Sequence, residues 1–69
     1  MRVIAPAERE HMPGSWRPVL GPFTQLTTCE AVIDDPPAVV RRAGTVSVER
    51  LTDGYWIVGY VMPVLGVVS

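Results

Sequence analysis

Lysine and asparagine are absent from this 69-residue chain, and cysteine and histidine occur once each. A single cysteine, Cys29, excludes an intrachain disulfide. His11 and Cys29 together fall short of the four ligands of a structural zinc site, so neither a metal nor any other cofactor is expected. Charge is sparse, with 19% of residues charged against 48% hydrophobic. All six basic residues are arginines and the net charge is −1, which lacks the basic footprint of a non-specific nucleic-acid binder. Codons for lysine and asparagine are A-rich, and their absence points to a GC-rich genome such as that of an actinobacterium or one of its phages.

Long hydrophobic runs are missing too. The longest uncharged stretch, Gly54–Ser69, has 16 residues and is interrupted by Gly59, Pro63 and Gly66. A membrane span needs about 20 apolar residues, so no membrane association is expected. The first residues become charged too soon to contain the apolar core of a signal peptide. With disulfides and metals excluded, a domain this small is short of staples. A core of this size rarely supplies more than about 3–5 kcal/mol, and oligomerisation is the stabilising device that remains. The expected organisation is therefore a single small domain over residues 1–69 that completes its core against other protein chains.

What is present reads mostly as β-structure. Residues 2–5 predict a short first strand. Pro6, Pro13, Gly14 and Pro18 punctuate a loop over 6–18, with room for one helical turn near Ala7–His11 and with Trp16 as its anchor to the core. Val19–Ile33 reads as an extended segment that begins pairing near Phe23, because β-branched residues and threonines are dense there. Asp34-Asp35-Pro36-Pro37 is a break. Pro37–Arg42 fits either a short helix, capped by Asp35 and stopped at Gly44, or an extended strand.

Thr45–Leu65 predicts a β-hairpin turning at Asp53-Gly54, a preferred type I′ dipeptide. That turn pairs Leu51 with Trp56 and Val48 with Gly59. One face then carries Val46, Val48, Ile57 and Val61, and the other Leu51, Trp56, Val58 and Tyr60. Both faces are apolar, so the hairpin is either sandwiched or half of it forms an interface. The apolar segment after Pro63 suits strand addition to a neighbouring sheet. The expected fold is all-β: a four- to five-stranded barrel or sandwich with a C-terminal hairpin and at most one short helix.

Catalytic groupings are weak. Asp34-Asp35 reads as a turn rather than a metal or acid–base pair, because no third ligand lies nearby. His11 and Cys29 lack an orienting third group and an oxyanion site. An enzyme is not expected. The composition and the apolar end favour a small structural subunit of a larger, symmetric assembly. A phage virion component in a capsid-associated (decoration or minor capsid) or head–tail position fits best, which places it in the virion, with Trp56, Tyr60, Val64, Leu65 and Val67 as interface residues. The alternative is a cytoplasmic β-barrel that binds nucleic acid or acts as a regulator or inhibitor, with Arg41, Arg42, Arg50 and Tyr55 as nucleic-acid contacts, the tyrosine stacking on bases.

Overall fold

In a computed structural model, which describes residues 1–63, the chain runs β1 (Arg2–Val3), α1 (Pro6–Arg9), β2 (Ser15–Phe23), α2 (Leu26–Asp34), α3 (Ala38–Ala43), β3 (Thr45–Leu51) and β4 (Gly54–Val61). The strands form one open sheet in the order β1-β3-β4-β2. β1 is parallel to β3, and β4 is antiparallel to both β3 and β2. The sheet is therefore mixed and open, and three short helices accompany it. This α+β architecture replaces the expected all-β barrel or sandwich.

The reason for the correction lies in residues 19–34. The expected strand begins and ends earlier, at Ser15 and Phe23, and the chain then turns helical at Leu26. Neither face of an extended 23–30 segment is cleanly apolar, whereas Leu26, Cys29, Val32 and Ile33 follow the helical period. Cys29 is fully buried, and Val32 and Ile33 pack beside it. Burial of that stripe outweighs the poor helix propensity of Thr27, Thr28 and Val32, each a penalty of under about 1 kcal/mol. β2 holds Pro18 and Pro22 because it is an outer strand of the sheet, where a missing N–H is tolerated. Its pairing with β4 slips between Pro18 and Leu20 and again between Leu20 and Phe23.

The two readings of residues 36–43 resolve in favour of the helix. Its first turn is not capped by Asp35, which instead ends α2 with its N–H on the Ala31 carbonyl. Pro37 precedes the first helical residue, and its carbonyl accepts from Val40 and Arg41. Gly44, at φ +78, ends the helix and leads into β3.

The β3–β4 hairpin forms with a different register. Leu51 pairs with Gly54 and Val48 with Ile57, two residues from the expected partners. A type I′ turn requires positive φ at both central residues, and no non-glycine residue here has positive φ. The loop is Thr52-Asp53, and Gly54 takes the positive φ of +142 just after it. Because side chains alternate with period two, a slip of two leaves every residue on its expected face.

Val46 and Ile57 project from one face of the hairpin into the cluster they form with Cys29 of α2 and Val40 of α3. All four are fully buried. α2 and α3 thus cover this face. Gly59 lies on it too, and a Cβ there would stand 2.9 Å from Val19 and 3.3 Å from Ala43. The opposite face presents Glu49, Leu51, Trp56 and Tyr60, with Ser47 and Val58 paired and buried between them.

Candidate docking surface

Two regions of the molecule carry exposed or half-buried apolar side chains. The first is the face of the sheet opposite α2 and α3, which α1 meets through Arg9 and Glu49. Trp16 pairs with Tyr60 across β2 and β4, and their rings lie 5.1 Å apart at 55°. Tyr60 Oη accepts from the Gly14 N–H at 2.8 Å, which holds the end of the 10–14 connection to the sheet. Trp56 lies on the same face over Gly21, where a Cβ would come within 2.8 Å of the indole ring. Its Nε1–H donates to Asp53 Oδ1 at 2.8 Å. Trp56 and Tyr60 are half-buried and held in place by these contacts. Trp16 belongs to this strand pair rather than to a loop.

The second region is a groove along the outer edge of β3. β1 covers only the start of that edge. Arg2 N–H donates to Gly44 C=O and Ile4 N–H to Val46 C=O, both at 2.8 Å. In a continuing parallel ladder the Ile4 carbonyl would next accept from Val48 N–H. It accepts instead from Ser47 Oγ at 2.6 Å. The chain then leaves the edge through Pro6 into α1. Val48, which shares the outward backbone direction of Gly44 and Val46, borders a hollow of about 450 Å³ whose lining also includes Val3, Ile4, Pro6, Leu26 and Ile33. A second hollow of about 400 Å³ continues from it, with Pro6, Leu26 and Val48 common to both, and reaches Arg50 and Tyr55. Val3 and Leu26 on its rim are 52% and 43% exposed.

Charged groups frame the groove. Glu30 and Asp34 border one end. At the other, Arg9 meets Glu49 at 3.3 Å and the Arg50 guanidinium sits 4.8 Å from the Tyr55 ring centroid. The Arg9 and Glu49 side chains are 18% and 34% exposed, so the ion pair is partly buried, whereas Arg50 lies exposed over Tyr55.

The remaining sequence-predicted residues are dispersed. Arg41 and Arg42 are exposed near the end of α3, next to the start of β3, whereas Arg50 is near the end of that strand. Five residues of extended chain, from Thr45 to Arg50, cover about 17 Å, so the four nucleic-acid candidates Arg41, Arg42, Arg50 and Tyr55 separate into two groups. Val64, Leu65 and Val67 lie outside the described residues. Cys29 is fully buried, and burial pushes its thiol pKa up, with the neighbouring Glu30 carboxylate acting in the same direction. His11 is exposed beyond α1. Asp34 and Asp35 close α2, and no group of three or more metal-ligating side chains occurs among the described residues. Among those residues, no helix is long and apolar enough to cross a membrane.

The groove was not anticipated, because its walls come from three separated segments. The one local sign of it is Leu26 and Ile33, seven residues apart on one side of α2. No family model matches the chain, and no curated protein or solved structure matches it either.

Proposed function

We propose that the chain is a small structural subunit that docks into a larger, symmetric assembly of protein chains through apolar contacts. The observation that carries this reading is a mismatch between core and surface. The fully buried apolar cluster comprises Cys29, Val40, Val46 and Ile57, while Met1, Val3, Leu26, Val39 and Met62 stay between 42% and 71% exposed. A core that small contributes only a few kcal/mol, and burying further apolar surface against another chain adds about 25 cal/mol per Å². Trp56 and Tyr60 offer a second, rigid aromatic patch of the kind that anchors interfaces. A phage virion, with the subunit in a capsid-associated or head–tail position, is the assembly that the lysine-free, GC-biased composition supports.

Light scattering on the purified full-length chain over a concentration series tests the proposal. A defined oligomer, or solubility restored by co-expression with a partner, is expected. A stable monomer at millimolar concentration, with no partner required, overturns it.

A further inference from the structure

We infer that the hollow beside α2 receives the exposed side of α3 from a second copy of this chain, with Val39 on its apolar lining and Arg41 and Arg42 at the carboxylates of Glu30 and Asp34. The inference rests on the assembly reading above and names its contact.

The acceptor is an apolar wall with an unbalanced charge at one end. Val3, Leu26 and Ile33 line the hollow of about 450 Å³, and Glu30 and Asp34 join them with no basic residue in the lining. The two carboxylates stand four residues apart on α2, a spacing that sets like charges against each other. They also lie toward the C-terminal end of the helix, where the macrodipole disfavours an acid, and the last turn holds no basic residue. Among the described residues the one ion pair is Arg9–Glu49, so neither carboxylate is neutralised there. A cation brought to this end relieves both repulsions, and an apolar side chain beside it covers Leu26, which is 43% exposed.

α3 carries that combination. Val40 is buried in the core, which turns Val39 and Arg42, three residues apart, together toward the outside. Val39 is 42% exposed, and Arg41 and Arg42 are both exposed. Neither arginine has an acidic partner among the described residues. Two guanidinium groups thus match two carboxylates, a pairing that arginine makes with both directional hydrogen bonds and charge.

α3 cannot make this contact within its own chain. It packs on β2 and β4 with Val40 in the core cluster, whereas β1, α2 and β3 bound the hollow. Donor and acceptor are therefore different surfaces of one molecule, and each copy can use both at once. Such a contact is heterologous and repeats from copy to copy into a ring or a filament, as a larger symmetric assembly requires.

The test uses the full chain in two charge-reversed forms. One carries Glu30→Arg and Asp34→Arg, the other Arg41→Glu and Arg42→Glu, and all four positions are exposed. Each form alone is expected to weaken self-association by about tenfold or more, because like charges then meet at the contact. Circular dichroism of each is expected to match the parent. Their 1:1 mixture is expected to recover association in alternating order, because every groove then faces a helix of opposite charge. Light scattering of the unmodified chain supplies a readout that needs no variant. Self-association is expected to weaken as salt rises from 0.1 to 1 M, where the screening length falls from about 10 Å to about 3 Å.

If the unmodified chain self-associates but either reversed form does so equally well, this inference falls while the assembly reading stands. Loss in both forms without recovery on mixing, self-association indifferent to salt, or assembly only with a different protein has the same consequence. A chain that is monomeric throughout, with no partner required, removes both.

Discussion

The Ser47 hydroxyl donates to the Ile4 carbonyl at 2.6 Å, joining residues 43 positions apart in a fully buried setting. The bond holds Ile4 to β3 at the point where the chain leaves the β1–β3 ladder for α1. Ser47→Ala is expected to destabilise the fold by about 1–3 kcal/mol, the cost of leaving a buried carbonyl unpaired. For a domain of this size each kcal/mol lowers Tm by about 4–8 °C. Thermal unfolding measures the loss. An unchanged Tm means that the bond does not hold Ile4 to β3.

Gly21 and Trp56 form the second constraint. Gly21 has φ +154, and a Cβ there would sit 2.8 Å from the indole ring and 3.0 Å from the Tyr55 carbonyl. Gly21→Ala therefore incurs both backbone strain and displacement of Trp56. A loss of about 1–3 kcal/mol is expected from the strained backbone conformation alone. Tryptophan fluorescence should shift to the red as the ring moves outward. A variant with parental stability and an unshifted spectrum contradicts the packing described.

The Cys29 thiol is fully buried, so thiol reagents are expected to label the native chain far more slowly than the chain in denaturant. Its pKa is raised from 9.0 by burial and by Glu30. The folded state holds the proton more tightly than the unfolded chain, so this contribution to stability is complete below pH 9. It is lost as pH rises from there through the folded-state pKa. The stability difference between the parent and Cys29→Ala should therefore narrow above pH 9 and stay constant between pH 6 and 8, as followed by denaturant midpoints. A difference that widens above pH 9 reverses the sign and refutes the assignment.

Some of this architecture is readable from residue order. Thr45–Val61 alternates densely enough to declare a hairpin and to sort its side chains between two faces. Asp34–Pro37 and Gly44 break the chain wherever they are placed. These features follow from local sterics and from a period-two pattern that belongs to each strand alone. Lysine and a second cysteine are absent whatever the fold, and one histidine with one cysteine falls short of a structural zinc set, which left docking as the expected staple.

Tertiary structure decided the rest. Six of the nine residues of α2 are weak helix formers, and it is helical because Cys29, Val32 and Ile33 find Val40, Val46 and Ile57 to pack against. The hairpin register depends on Gly54 rather than on the Asp-Gly pair as a type I′ turn, and also on the second antiparallel partner that β2 gives β4. Local sequence leaves slips of two nearly equal in energy, since they preserve the faces, and only contacts made elsewhere choose among them. The groove beside Val48 lies where β1 ends and the chain turns through Pro6 into α1, with Ser47 tied to Ile4 at that point. A hydrogen bond between residues that far apart has no signature in the order of the residues themselves.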